Sequence, residues 1–156
     1  MVEYALILDE LKSVLKRNGL KQTKQREAIL KTLYTHSEHH SPEDILRLLK
    51  EDFPKEKIGI ATIYRTLSLF EDEGLVESIS FGKDGKKYEI GHKKHHDHLI
   101  CVNCGKIIEF IDNIIEKQQE TVAKQNNFYM INHSMKIVGY CEKCYKYNLK
   151  KEGEKS

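Results

Sequence analysis

Residues 92–105 read His92-Lys93-Lys94-His95-His96-Asp97-His98-Leu99-Ile100-Cys101-Val102-Asn103-Cys104-Gly105, and Glu109 follows closely. This stretch combines imidazoles, a carboxylate and a Cys-x-x-Cys pair, all of which are ligands for transition metals. The other two cysteines of the chain form a second pair, Cys141-Glu142-Lys143-Cys144. We therefore expect a metal site around this stretch, and we expect metal occupancy to control an activity of the first half of the chain.

Composition sets the frame for that site. The chain has 156 residues, of which 39% are apolar, so it forms one domain or two small ones with modest cores. Its first residues carry acids and no long apolar run, which argues against a signal peptide, and no window is long enough for a membrane span. The sequence thus predicts a soluble cytoplasmic protein, and in that compartment paired cysteines favour zinc over disulfides.

The four cysteines can form one tetrahedral zinc site that is closed to solvent and structural in kind. The two pairs are separated by 36 residues, more than in a simple zinc ribbon, so the intervening segments must bring them together. A redox dithiol and free buried thiols are the alternatives. Two intact pairs with no cysteine left over favour zinc.

The histidines and carboxylates form a second population of ligands. On a strand, His96 and His98 point to one side, while His95 and Asp97 point to the other, so one short strand can supply two sites. Mixed imidazole and carboxylate ligands suit Fe(II), Mn(II) or Zn(II) at exchangeable affinity. The alternative is a solvent-exposed, histidine-rich linker.

The first half has the pattern of several helices followed by a β-hairpin. Apolar spacing and capping residues predict helices from Tyr4 to Arg17, after Thr23, after Ser41-Pro42, and from Ile60 to Asp72. Two strands then follow, Leu75 to Phe81 and Lys87 to Ile90, joined at Gly82-Lys83-Asp84-Gly85. This order is typical of a winged helix-turn-helix over residues 1–90, with a hinge at about 91–94. A small α+β domain with no nucleic-acid role is the alternative.

A basic surface and the fourth helix favour the nucleic-acid interpretation. Seven basic residues against one acid lie between Lys12 and Lys31. In the fourth helix Ile60, Ile63, Leu67 and Phe70 should be buried, with Tyr64 at the margin of that stripe. Arg65 can pair bidentately with guanine, and threonine and tyrosine side chains can contact thymine methyls or phosphates. The residues expected off the buried stripe are Thr62, Arg65, Thr66 and Ser68.

The second half, residues 95–156, reads as a small α/β domain. We expect strands at Leu99-Ile100 and Lys106 to Phe110, a helix from about Asp112 to Asn126, a strand from Tyr129 to Tyr140 and a last helix from near Glu142 into a frayed tail. The half has few apolar residues for a monomer. We therefore expect it to pair with a second copy, and a two-fold dimer suits a palindromic DNA site.

Three segments of this chain resemble the ferric uptake regulator (Fur) family of bacterial metal-dependent repressors. The residues from His95 to Phe110 resemble the family's metal-binding segment, and Gly59-Ile60-Ala61-Thr62-Ile63-Tyr64-Arg65-Thr66-Leu67 resembles its recognition helix. Gly19-Leu20-Lys21 with Thr23 and Gln25-Arg26 is similar to its N-terminal motif. The likeness covers roughly residues 5 to 146.

The resemblance implies an α+β architecture, an N-terminal winged helix-turn-helix DNA-binding domain followed by a dimerisation domain with an all-cysteine structural zinc site. It also implies which residues do what. The structural zinc falls on Cys101, Cys104, Cys141 and Cys144. The regulatory site falls on His39, Glu89, His96, His98 and Glu109, with His40 adjacent to His39 and the choice between them open. An additional site falls on His95, Asp97, Glu116 and His133, and the DNA contacts on Tyr64 and Arg65 in the major groove and Lys21 in an A·T-rich minor groove.

The function implied by the resemblance is a DNA-binding repressor with Fe(II) as signal and co-repressor, for which Mn(II) or Zn(II) can substitute. The partners would be an A·T-rich palindromic operator and a second copy of the chain, with a tetramer as an alternative. The family's peroxide-sensing branch uses aspartates where this chain has Glu89 and Glu109, and its zinc-sensing branch uses a regulatory cysteine. Both differences favour iron, with manganese, zinc and peroxide sensors as alternatives.

Other classes of protein fit the residues less well. A zinc hydrolase or deaminase needs an open metal position with a general base beside it, and the deaminase signature is missing from the sequence. The sequence therefore predicts that the protein is not an enzyme. From another class, a zinc-dependent metal-storage or redox protein would leave the basic winged helix without a role.

Overall fold

The computed structural model describes residues 2–80, 85–91 and 93–153, with side chains described up to residue 147. The chain divides into two compact units, Met1–Lys94 and His95–Ser156. Phe81, His92 and most of the predicted hairpin turn, residues 82–84, lie outside the described residues. So does the end of the tail, residues 154–156, which the sequence predicts to be frayed.

The first unit contains four helices and a two-stranded antiparallel sheet. The helices are α1 (Tyr4–Arg17), α2 (Lys24–Thr35), α3 (Pro42–Asp52) and α4 (Ile60–Asp72), followed by strands β1 (Val76–Ser80) and β2 (Lys86–Ile90). Val76 pairs with Ile90 and Ser80 with Lys86. Helices followed by a hairpin are the order expected of a winged helix.

Local capping chemistry explains why these helices begin where they do. The Thr23 side chain accepts a hydrogen bond from the Arg26 amide at the start of α2. Ser41 and Asp44 form a capping box at the start of α3, with Pro42 in the first turn. Helix α4 ends at a Glu73 cap, and Gly74 follows with a φ of +75°.

The core of the first unit is formed by one apolar side of each helix and by the sheet. Two residues of α4 differ from the prediction: Ile60 is 36% exposed, whereas Thr66 is buried. Each lies about 60° around the helix from the stripe of Ile63, Leu67 and Phe70, at 100° per residue. The core packs against the side of α4 that carries Thr66. Ile60 is the first residue of the helix and lies at the end that the core does not cover.

The second unit contains a three-stranded sheet in the order β4-β3-β5. Strand β3 (Asp97–Cys101) lies between antiparallel β4 (Ile107–Phe110) and parallel β5 (Lys136–Gly139). Helix α5 (Asn113–Gln125) makes the crossover from β4 to β5, as a parallel pair requires, and α6 (Glu142–Gly153) follows.

The predicted strand from Tyr129 to Tyr140 is wrong in extent, since only Lys136–Gly139 pairs. The reason is that β3 begins at Asp97, so earlier residues have no strand beside them. The Met135 amide instead donates to Asp97 Oδ1 at 2.8 Å, a side-chain contact in place of a ladder bond. A capping carboxylate thus ends the pairing.

The second unit buries few apolar side chains. Helix α5 has no buried residue, and the buried apolar side chains among the described residues of this unit are Ile100, Cys101 and Cys144. Large apolar side chains are instead exposed, among them Ile114, Val122, Phe128, Tyr129 and Ile131. So small a core leaves stability to metal binding and to contact with another chain.

Membrane insertion through a helix is not supported by the described part of the chain. None of its helices has the length and apolar character needed to span a bilayer.

A close backbone approach at Gly91 yields a prediction. The Gly91 amide donates to the Leu75 carbonyl, and a Cβ at Gly91 would lie 2.6 Å from the Gly74 oxygen. We expect Gly91→Ala to destabilise the protein by about 1–3 kcal/mol, because the backbone after α4 must shift. Urea unfolding measures the change. The control is Gly139→Ala, where a Cβ would have open space, and an equal loss in both variants would contradict the steric account.

Candidate metal centres and nucleic-acid interface

The four cysteines converge in the second unit. Cys101 ends β3, Cys104 lies in the turn before β4, and Cys141 and Cys144 lie at the start of α6. Their sulfur atoms all lie within 4.8 Å of one another, and Cys104 Sγ is 3.7 Å from Cys141 Sγ. A tetrahedral zinc ion with Zn–S bonds of about 2.3 Å needs sulfur pairs about 3.8 Å apart. The cluster therefore fits zinc, and none of the four cysteines forms a disulfide.

The surroundings of the cluster shift the pKa values of two of its thiols in opposite directions. Backbone hydrogen bonds around Cys101, the strongest from Cys141, lower the pKa of its thiol to about 6. The Asn103 side-chain amide donates to Cys144 Sγ at 3.3 Å and lowers the pKa of that thiol. Burial and the three neighbouring thiols outweigh this contact and raise the pKa of Cys144 to about 12. Four thiolates at this spacing need a bound cation, and binding it would release protons.

In the first unit, His39 and Glu89 form a buried pair. His39 Nε2 lies 3.0 Å from Glu89 Oε1, and the two side chains are 6% and 2% exposed. Strand β2 supplies Glu89, and the segment before α3 is aligned on that strand because His40 and Tyr88 exchange backbone hydrogen bonds of 2.9 and 2.8 Å. The structure thus brings the His39 imidazole to Glu89. Burial lowers the pKa of the His40 imidazole and favours its neutral form.

The Glu89 carboxylate is ionised in spite of its burial. Desolvation would raise its pKa, but the hydrogen bonds and charges of His39 and Lys93 outweigh it and hold the pKa at about 2. Lys93 Nζ lies 2.5 Å from Glu89 Oε2. A buried carboxylate that stays charged is a strong ligand for a cation.

In the second unit, His96 and His98 lie together with Glu109. Their rings have centroids 4.7 Å apart, and His96 Nε2 lies 3.8 Å from Glu109 Oε1. The β3–β4 register places His98 opposite Glu109. This set offers two imidazoles and one carboxylate from a single small sheet.

The other four predicted ligands also converge in the second unit. The ligand atoms of His95, Asp97, Glu116 and His133 lie within 4.8 Å of one another. The rings of His95 and His133 are 4.1 Å apart, and Glu116 Oε2 lies 3.0 Å from His133 Nε2. Helix α5 contributes Glu116 from its first turn.

The hydrogen bonding of the cluster formed by His95, Asp97, Glu116 and His133 fits a metal ion. Asp97 Oδ2, Glu116 Oε1 and His133 Nε2 are buried, and apart from the contacts of the two imidazoles with Glu116 none of them has a hydrogen-bond partner within the part of the chain that the structure describes. Buried polar atoms that lack partners are costly in a folded protein. A cation bound at their meeting point would satisfy all three.

The exposed side of α4 carries the predicted DNA contacts. Tyr64 and Arg65 are exposed, and Thr62 is half-buried. The Tyr64 hydroxyl donates to Glu43 Oε1 of α3 at 3.1 Å, a contact that fixes the tyrosine on this surface. The sequence did not single out Glu43, because one acid in a capping segment carries no signal of its own. Lys21 lies before α2 on an exposed segment, and its carbonyl accepts from the Arg26 guanidinium.

Fold and site together define a class of protein. A winged helix with an exposed, polar recognition helix binds duplex DNA, and histidine, carboxylate and cysteine clusters bind transition metals. The class is that of metal-dependent transcriptional regulators, which are not enzymes.

Comparison with known proteins identifies the family. The model of the ferric uptake regulator family matches residues 17–138, and the chain belongs to that family. The family comprises dimeric, DNA-binding, metal-dependent transcriptional regulators. The chain is 51% identical to the ferric uptake regulation protein of Campylobacter jejuni over 143 residues, which cover 92% of this chain and 91% of that protein.

Two solved structures are informative. The Helicobacter pylori ferric uptake regulator, whose structure reveals three functional metal-binding sites, is 39% identical with a TM-score of 0.82 and covers 92% of this chain and 95% of its own. The Campylobacter jejuni peroxide stress regulator is 27% identical with a TM-score of 0.62 and covers 92% of this chain and all of its own. The fold is thus shared with regulators of different signals.

The sulfur geometry yields a prediction about zinc. We expect Cys101→Ser to reduce zinc from about one ion per chain to about a tenth or less, because three sulfurs leave the tetrahedral site open. Amides of β3 and β5 should then lose protection from hydrogen exchange while those of α4 keep it. Elemental analysis and exchange mass spectrometry measure both effects.

The matched control is Asn103→Ala. It removes the hydrogen bond to Cys144 and leaves all four sulfurs in place, so this variant should retain its zinc. A Cys101→Ser protein with a full complement of zinc would contradict the assignment.

Proposed function

We propose that this protein is an Fe(II)-dependent repressor of iron-uptake genes whose regulatory ion is held by His39, Glu89, His96, His98 and Glu109. The observation that carries the proposal is the buried, ionised Glu89 carboxylate beside the His39 imidazole, near the end of the first unit. Seven residues later, His96 begins the second group of donors. Neither group is a complete ligand shell. His39 and Glu89 supply two donors, and the second unit supplies three.

Chain length supports joining the two groups into one site. Glu89 and His96 are seven residues apart, and seven extended residues reach at most about 25 Å. An ion that binds five or six donors would gain ligands by drawing on both groups. Because it would bind one arrangement of the two units better than others, it would shift the population towards that arrangement.

The first unit contains a short path from the ligands to the recognition helix. Glu89 is followed along β2 by Ile90 and then by Gly91, whose amide donates to Leu75. Leu75 lies three residues after the end of α4 at Asp72. A metal ion that fixes Glu89 would therefore act on a segment that is hydrogen-bonded next to the helix that reads DNA.

The donor set favours iron as the signal. Three imidazoles and two carboxylates with no thiolate suit Fe(II) and Mn(II), and Zn(II) can substitute. The same species, Campylobacter jejuni, supplies two relatives, and this chain is much more similar to the ferric uptake regulation protein than to the peroxide stress regulator. In this proposal the four cysteines hold structural zinc, and His95, Asp97, Glu116 and His133 hold an additional ion.

The form that binds DNA is proposed to be a dimer on an A·T-rich palindrome, with a tetramer as an alternative. A groove of about 580 Å³ on the second unit is lined by apolar residues of α5 and its neighbours, such as Ile114, Val122, Phe128 and Met135, and a second copy would cover it. Tyr64, Arg65 and Thr62 would lie in the major groove and Lys21 in the minor groove. A regulator of chromosomal operators would work in the cytoplasm.

The first test of this proposal is metal-dependent DNA binding. On protein that retains only structural zinc, we expect anaerobic Fe(II) or Mn(II) to tighten binding to an A·T-rich palindromic duplex at least tenfold, which is about 1.4 kcal/mol of coupling. Fluorescence anisotropy measures the affinity. The His96→Ala, His98→Ala double variant should not respond.

His36→Gln is the control for that experiment, since His36 pairs with Asp52 and belongs to neither donor group. It should respond to metal as the unchanged protein does. A response to Zn(II) alone would replace iron as the signal, and binding that no metal alters would contradict the proposal.

A second prediction concerns specificity. We expect Arg65→Ala to weaken operator binding by about 1–3 kcal/mol and to leave binding to random duplex nearly unchanged, because an arginine at a base edge reads sequence. Arg47→Ala, which removes an exposed cation of α3 paired with Asp44 and Glu51, is the control. Equal losses on operator and random DNA would assign Arg65 to the phosphates instead.

A further inference from the structure

Lys93 occupies one side of the Glu89 carboxylate. Its Nζ lies 2.5 Å from Oε2, while His39 Nε2 lies 3.0 Å from Oε1. The Lys93 side chain is 14% exposed and that of Glu89 is 2% exposed, so the pair lies largely out of water. A cation and an imidazole thus flank the two oxygens that the proposed regulatory ion would use.

The two members of this pair are held in different ways. Glu89 is fixed by β2, whose ladder places it opposite Glu77. Lys93 lies beyond the end of β2, near the end of the first unit, and its ammonium group is carried by a flexible four-carbon side chain. An ammonium group of this kind can leave and become hydrated without any change in the strand, whereas the carboxylate cannot follow it.

We propose that Lys93 is an internal substitute cation that neutralises Glu89 in the metal-free protein and must be displaced when a metal ion binds. The inference rests on the function proposed above. An ammonium at 2.5 Å from Oε2 and a metal ion on the same carboxylate exclude each other by charge and by space. The metal therefore binds only the fraction of molecules in which Lys93 has left, and the apparent affinity is reduced by that fraction.

This arrangement has a consequence for the metal-free state. Without Lys93 the buried carboxylate would lack its counter-charge, which is strongly unfavourable. The lysine therefore stabilises the metal-free protein and weakens metal binding at the same time. A purely structural ion pair, one compatible with bound metal, would have the first effect and lack the second.

Direct metal binding separates these two cases. The probe is Mn(II), measured by the electron paramagnetic resonance of the free ion, on zinc-containing protein that carries Glu116→Gln and His133→Ala to remove the additional cluster. We expect Lys93→Gln to tighten Mn(II) binding about tenfold and to lower the melting temperature of the metal-free protein. Lys93→Arg keeps the charge and should bind Mn(II) within about twofold of the parent.

Lys94→Gln is the matched control, because the neighbouring lysine is exposed and the same charge is removed. It should change the affinity by no more than about twofold. Equal affinities for Lys93→Gln and Lys94→Gln, with Mn(II) binding still lost in Glu89→Gln, would overturn the role of Lys93 and leave the proposed function standing. Mn(II) binding that does not depend on Glu89 would overturn both.

A measurement on the unchanged protein covers the case in which Lys93→Gln does not fold. Acetylation of lysines by an amine-reactive ester, read by mass spectrometry, should modify Lys93 slowly without Mn(II) and several times faster with it, because displacement exposes the amine. Lys94 should react at the same rate in both conditions. A Lys93 rate that falls or stays constant on Mn(II) binding would overturn the inference.

Discussion

A buried carboxylate that stays ionised needs a positive partner, and Glu89 places that requirement at the end of the DNA-binding unit. Its side chain is 2% exposed, and the contacts of His39 and Lys93 keep its pKa at about 2. Leaving such a charge unpaired is among the most costly changes in a protein interior. In the proposed function, the identity of the cation at this position would therefore decide the state of the segment around it.

Backbone hydrogen bonds connect the strand that carries Glu89 to two other segments of the first unit. The segment before α3 is hydrogen-bonded to Tyr88, next to Glu89 on β2. At the end of the same strand, Gly91 approaches the backbone after α4 so closely that no side chain fits between them. Glu89, its strand and the segment after α4 are thus connected by backbone contacts, and these would carry the proposed coupling.

The second unit depends on ligands more than on a core. Helix α5 has no buried residue, and several large apolar side chains are exposed. Four sulfurs at zinc spacing lie between the end of β3 and the start of α6. The cluster that contains Asp97 and Glu116 lies between β3 and α5. Metal ions bound as proposed would hold the elements of this unit together, and a second copy would cover its apolar surface.

Much of this could be predicted from sequence because it is local. Capping residues such as Thr23 and Ser41 fixed the helix starts, and the alternation of ligands around β3 separated two donor groups. The errors depend on tertiary context. Ile60 fits an apolar stripe but lies at an open helix end, and the segment from Tyr129 has strand-like residues with no strand to pair with.

The sequence also leaves the choice between His39 and His40 open, because the position of each imidazole depends on how two neighbouring residues pair with β2. The backbone bridge at His40 leaves the His39 side chain beside Glu89. Lys93 was hidden for a similar reason, because a lysine in a charged linker looks like a solvated residue until its carboxylate partner is known.

The central claim is that one ion takes ligands from both units, and Mn(II) affinity in single-ligand variants tests it most directly. His39→Ala, from the first unit, and His96→Ala, from the second, should each weaken binding by at least about tenfold, while His40→Ala should change it little. If His39→Ala and Glu89→Gln both bind Mn(II) as tightly as the unchanged protein, the regulatory ion belongs to the second unit alone, and the proposed coupling to the recognition helix is wrong.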